Sequence, residues 1–212
     1  MIRERDPFGR ALTILRQRLA NGDFAEGEPL IIIDLARELD LSPTPVREAL
    51  QRLVGEGLVE ERRGRGYFNW RIDVADLAEL YDLSSLLIGA SIAAVAARGR
   101  PDHGDLFAGL EAEPDVGPEA VVRASERLFA RLVRAAGNRA MTSFYISVAS
   151  RLGPARRAEH HILSGGGAEM AALMGYAHAG AWRDLATSTI AFHDRRREQA
   201  SAIVAATRAQ AK

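Results

Sequence analysis

Ser42-Pro43-Thr44-Pro45-Val46-Arg47-Glu48-Ala49-Leu50 is the stretch that decides the fold of this chain. Thr44 can cap a helix whose first position is Pro45, since proline is pre-set for helical φ and lacks only a hydrogen that would go unpaired there. Val46, Leu50, Leu53 and Val54 then share one helical face, and Gly55-Glu56-Gly57 ends the pattern. Upstream, Leu30 to Leu39 carries Leu35, Ala36 and Leu39 on one face until Asp40-Leu41-Ser42-Pro43 breaks it. Two such helices joined by a short turn predict a helix-turn-helix. A helix before them, about Pro7 to Ala20 with Leu12, Leu15 and Leu19, stops at Asn21-Gly22. After them, Leu58 to Arg62 and Tyr67 to Arg71 read as strands around Arg63-Gly64-Arg65-Gly66, where glycine supplies the positive φ of a tight hairpin. Residues 1–71 are therefore expected to form a winged helix-turn-helix.

From residue 72 onward the pattern is helical only. Asp73 caps an expected helix from Val74 to about Arg98, ended by Gly99-Arg100-Pro101, and residues 102 to 118 hold at most a short helix and a loop. Further helices are expected over Glu119 to Ala136, Arg139 to about Leu152, Ala168 to His178 and Trp182 to about Ala209, with Gly165-Gly166-Gly167 as a flexible link. Residues 72–212 thus predict an antiparallel α-helical bundle, and the fold class is mainly α.

Composition limits what such a protein can do. The chain has 212 residues, enough for two small domains, and no uninterrupted apolar run approaches the eighteen or so that span a bilayer. The mixed charge of Met1-Ile2-Arg3-Glu4-Arg5-Asp6 shows no secretory h-region, so the expected location is the cytoplasm, with no membrane partner. Absence of cysteine excludes disulfides, Cys-ligated zinc and thiol nucleophiles. There is no Gly-x-Ser-x-Gly, P-loop or His-Glu-x-x-His, so no catalytic residues are assigned and an enzyme is not expected. Formal net charge is zero, yet Ser42 to Arg71 holds six arginines against four glutamates. That local excess matters more for phosphate contact than the sum does.

In a helix-turn-helix the first turn of the second helix enters the major groove. Ser42, Thr44, Arg47 and Gln51 occupy that end here, and their hydroxyl, guanidinium and carboxamide groups suit base edges and phosphates. The helix N-terminus adds its own attraction for phosphate. Arg63, Gly64, Arg65 and Gly66 form the wing tip that would reach a neighbouring groove. The same residues could also be an ordinary solvated face, since winged helices serve as protein interaction modules too.

The run from Leu30 through Leu35-Ala36, Ser42 to Leu53, Glu56-Gly57-Leu58-Val59 and Arg65-Gly66 closely resembles the N-terminal domain of GntR-family transcription regulators over residues 8 to 71. The resemblance implies that Ser42, Thr44 and Arg47 contact a double-stranded, pseudo-palindromic DNA operator as a homodimer, with the wing at the minor groove. Pro43 stands where the family usually has arginine, and Ile32 near a usual acidic residue, so operator sequence does not carry over.

The helical remainder resembles the FCD-like effector domain of the FadR/VanR branch, which implies a small carboxylate or acyl effector, often held with a metal. Metal-binding members carry Asp-x-x-x-His and then Gly-Asn; here Glu126 and Ala130 precede Gly137-Asn138. A further histidine falls at Ala171, and the last one is His193. Two of four ligands are missing, so neither a tightly bound metal nor a cofactor is expected. His160-His161 lies eleven residues too far from His193 for that pattern and reads as an exposed pair, unless the glycines realign it. Glu126 shares a helical face with Val122, Phe129 and Val133, so its carboxylate should turn inward and need a partner, His193 or an arginine. That gives either a structural ion pair or a ligand anchor. The family's early-helix Arg and Glu are replaced by Ser84 and Ile88, which implies a pocket more apolar than usual, or a closed one. Glu126, Ala130, Ala171 and His193 are the candidate pocket residues. The alternative is a ligand-independent DNA-binding protein whose pocket has degenerated into core.

Overall fold

The computed structural model describes residues 6–99, 107 and 117–210. They divide into two compact units, one reaching to Ile72 with the chain from Arg208 onward added, the other Asp73–Thr207.

In the first unit, α1 (Pro7–Asn21), α2 (Ile32–Leu39) and α3 (Pro43–Gly55) surround one core. Ala11, Leu15, Leu35, Leu39, Val46 and Leu50 are buried in it. A three-stranded antiparallel sheet of β1 (Pro29–Leu30), β2 (Val59–Arg62) and β3 (Gly66–Asn69) has the order β1-β3-β2. Leu30 faces Tyr67, and Arg62 faces Gly66 across the hairpin. Sequence reading had put Leu30 in a helix; its pairing with Tyr67 makes it an edge strand, and α2 begins two residues later. Gly64 and Gly66 hold φ of 73° and 94°, conformations that favour glycine, so the wing turn is built as its glycines require.

α3 also starts earlier than expected. Pro43, not Pro45, is the first helical residue, and Ser42 takes the cap position without using its hydroxyl. The two prolines remove two of the four N–H groups that a helix start leaves unpaired, so only those of Ser42 and Thr44 remain for an anion. The helix N-terminus is a weaker phosphate site than the sequence suggested.

The second unit consists of α4 (Val74–Ala97), α5 (Pro118–Ala135), α6 (Arg139–Ala158), a 3-10 turn at Glu159–His161, α7 (Gly166–Ala179), α8 (Trp182–Glu198) and most of α9 (Ala200–Gln210). Asp73 caps α4 through a reciprocal bond with Asp76. α4 is central and packs on α5, α6 and α8. By length and composition alone α4 could cross a membrane. Asp82 interrupts its apolar residues, and the buried face of α4 carries Tyr81, Ser84 and Ser91 within the bundle.

Three boundaries were misjudged. Gly153-Pro154 does not end α6, because Pro154 sits inside the helix and the chain stays helical to Ala158. The triglycine is not a loose link: Gly165, at φ 76°, is the cap of α7, and Gly166 and Gly167 are its first residues. The last expected helix is two, divided at Gln199. The expectation for residues 102 to 118 lies outside the described residues apart from Gly117, Pro118 and Phe107, which is buried against Trp182 and His178.

Leu50 is fully buried whereas Glu48 is exposed. Leu50→Ala should lower the free energy of unfolding by about 2–5 kcal/mol in urea titration, and Glu48→Ala by less than about 0.5 kcal/mol.

Candidate nucleic-acid interface and the interior of the helical unit

α3 is amphipathic at helical spacing. Val46, Ala49, Leu50 and Leu53 fill the core, which leaves Ser42, Thr44, Arg47 and Gln51 exposed. Thr44 lies three residues from Arg47, and Gln51 four beyond it, so the three share one face. The wing turn closes with the Arg65 N–H donating to the Arg62 carbonyl at 2.8 Å, and Arg63, Gly64, Arg65 and Gly66 are all exposed. The structure thus gathers each sequence-named DNA residue onto α3 or the wing tip.

The arginines of the first unit differ in their partners. Arg16 and Arg52 both donate to Glu56, Arg18 to Glu38, Arg37 to Asp34 and Arg62 to Glu60. Arg47, Arg63 and Arg65 have no such bond among the described residues. Carboxylates hold the arginines that brace the fold, and those at the recognition end and wing keep their donors for another partner.

In the helical unit the four candidate pocket residues differ in burial. Ala171 is exposed, while Glu126 and Ala130 are half-buried. His193 alone is buried, at 2% exposure. Its Nδ1–H donates to the Thr189 carbonyl at 2.7 Å, which leaves Nε2 as acceptor for the Ser84 hydroxyl at 3.0 Å. Serine in place of the expected arginine therefore consumes the lone pair a metal would need. Among the described residues no group of three or more His, Asp or Glu side chains could hold a metal. Of the two partners expected for Glu126, neither His193 nor an arginine is hydrogen-bonded to it among the described residues, although its charge acts on Arg156. His160 and His161 stack at 3.8 Å between ring centroids, and His160 bonds the Arg157 carbonyl.

The stop wrongly placed at Leu152 hid the main polar residues of this interior. Glu159, just past α6, accepts from the Tyr81 hydroxyl at 2.6 Å and from Arg196 Nε at 2.7 Å. Arg196 also donates to the Phe192 carbonyl and to Glu169. Burial, with Glu159 beside it, pushes the Tyr81 hydroxyl pKa well up, so it stays a donor. Arg156, on the last turn of α6, is 1% exposed. The signal available was the charged run Arg156-Arg157-Ala158-Glu159, had Pro154 been allowed inside a helix.

An exposed second helix and a glycine-turned wing define the domain as a winged helix-turn-helix. Residues 9–68 match the family described as bacterial regulatory proteins, gntR family. An uncharacterized HTH-type transcriptional regulator in the TAR-I ttuE-ttuC' intergenic region of Agrobacterium vitis is 32% identical over 113 residues, 53% of this chain and 64% of that protein. The Nta operon transcriptional regulator of Aminobacter aminovorans is 27% identical over 63% of this chain and 65% of its own length. The aligned region thus spans just under two thirds of either relative. Among solved structures, E. coli McbR/YncC superposes with a TM-score of 0.72 at 19% identity, covering 97% of this chain and 98% of that one. A GntR transcriptional regulator from Rhodococcus sp. RHA1 gives 0.71 at 20% identity, covering 91% and 96%. At such identities the likeness is one of fold, extending through the helical unit. The family and these relatives are transcriptional regulators rather than enzymes.

Burial lowers the His193 pKa to about 3, with Arg156 and Arg196 adding to the shift and the Thr189 carbonyl opposing it. The unfolded chain takes up a proton below about pH 6.5 that the folded chain refuses. The stabilisation is complete above that pH and should fall by about 1.4 kcal/mol per unit as pH drops toward 3. Subtracting the unfolding free energies of His193→Asn from those of the parent across pH 7 to about 4 should isolate this slope. An equal pH dependence in both proteins would remove His193 as its source.

Proposed function

We propose that the chain is a DNA-binding transcription regulator that acts in the cytoplasm as a homodimer and answers to a small-molecule effector in its helical unit. The supporting observation is the set of three unpaired arginines, Arg47, Arg63 and Arg65, on the recognition helix and wing of a gntR-family domain. Arg47, Thr44, Ser42 and Gln51 would read base edges and phosphates in the major groove, and Arg63 to Gly66 would follow the adjoining backbone or minor groove. Symmetric operators call for a symmetric dimer with two recognition helices about one DNA turn apart. A surface suited to that pairing lies on α4, where Leu83 and Leu86 are 42% and 70% exposed and Ala90 and Ala93 continue the stripe. Effector control requires that the ligand bind the DNA-competent and incompetent states unequally. The capped His193 favours a ligand-independent regulator with a filled pocket as the second reading.

Arg47→Ala should weaken operator binding by about 1–3 kcal/mol, measured by gel-shift titration on a sequence selected from random DNA. Arg63→Ala with Arg65→Ala should instead lower affinity for all sequences and flatten its salt dependence. Unchanged affinity in both variants would sink the assignment. Leu86→Glu should move the sedimenting species from twice 23.0 kDa to 23.0 kDa and weaken operator binding with it.

A further inference from the structure

Arg156 is the largest fully buried side chain among the described residues, and Nε, Nη1 and Nη2 all lack a hydrogen-bond partner. The Tyr145 hydroxyl is equally buried and lies near enough to Arg156 for a polar contact, though not in hydrogen-bond geometry. A buried donor left unmade costs about 1–3 kcal/mol, and more when charged, so folded chains rarely keep such a group unless something else meets it. The obvious internal acceptors are already engaged. Glu159 is taken by Tyr81 and Arg196, and Glu169 by Arg196. His193 spends its lone pair on Ser84. Glu126 contributes its field to Arg156 but makes no hydrogen bond with it.

Arg156 also has a way out to solvent. It lines a cleft of about 230 Å³ together with Pro118, Val121, Val122, Leu163 and Gly166. The cleft lies at the first turns of α5 and α7, whose caps, Gly117 and Gly165, supply no side-chain cap, although Pro118 has no N–H and Ala120 donates its own to the Gly117 carbonyl. Two helix N-termini, each a partial positive charge, therefore meet at the mouth of a cleft that leads to an uncommitted guanidinium. Valine, leucine and proline form its apolar walls, and His160 and the Glu159–Arg196 ion pair also line it.

We propose that Arg156 is the anchor for the carboxylate of a small organic acid, taken through this cleft. This rests on the effector-responsive reading above and names its chemistry. A planar two-oxygen carboxylate matches the guanidinium fork, the Tyr145 hydroxyl gives a further donor, and the valines and Leu163 would cover the acid's carbon skeleton. Arg156 makes no bond that the ligand must first break.

The test is thermal unfolding of the full chain with millimolar succinate, lactate, benzoate, octanoate and inorganic phosphate, each titrated to saturation. At least one carboxylate should raise Tm. Arg156→Lys, which keeps the charge and loses the fork, should weaken that ligand at least tenfold; Arg156→Met should abolish the shift while staying as stable as the ligand-free parent. Tyr145→Phe should weaken it several-fold, and Glu126→Gln should leave it intact or tighten it. If Arg156→Met and Glu126→Gln both lower Tm without ligand, Arg156 is held by an internal ion pair and the proposal falls. A carboxylate that stabilises parent and Arg156→Met alike overturns the anchor and leaves effector control standing. A response to phosphate alone overturns the carboxylate assignment. No response to any probe, with operator binding equally indifferent to all of them, overturns both readings.

Discussion

The helical unit depends on one buried carboxylate. Glu159 ends α6, receives the Tyr81 hydroxyl of α4 and the Arg196 guanidinium of α8, and so ties three helices through a single pair of oxygens. Its partner Arg196 is 3% exposed and spends its remaining donors on Phe192 and Glu169. Such an arrangement adds little stability over apolar packing, but removing one member leaves a charge stranded, so it constrains which packing of the bundle is tolerated. With Arg196 and Glu159 satisfied by each other, Arg156 one turn away is left over.

The recognition helix and wing were legible in the sequence because their signals are local: proline at a helix start, an apolar stripe at period 3.6 and glycines at positive φ. Their exposure pattern follows from the stripe alone. What misled was the treatment of proline and glycine as punctuation. Pro43 begins α3 although Pro45 looked the better start, Pro154 lies within α6, and Gly166-Gly167 open α7. In each case tertiary packing outweighs a local preference worth only a few kcal/mol.

The interior of the helical unit was legible only by absence. Ala130 and Ala171 told which groups a metal would lack, and Ser84 pointed to a changed pocket. That Ser84 would cap His193 depends on residues 109 positions apart, which no periodicity encodes. Glu126 was read correctly as sharing a face with Phe129 and Val133, yet it is half-buried, and the polar focus of the interior lies on α6 instead.

The unpaired state of Arg47, Arg63 and Arg65 also has a kinetic meaning. The whole chain carries no net charge, so a duplex exerts almost no overall pull on it from afar. Charge set apart within a neutral body still feels a torque in a field. On the proposed reading, the first unit should turn its recognition end toward the phosphates within roughly a Debye length of the surface, about 8–10 Å at physiological salt. Approach is then weakly attracted but strongly oriented, which favours productive first encounters over long residence on unrelated DNA.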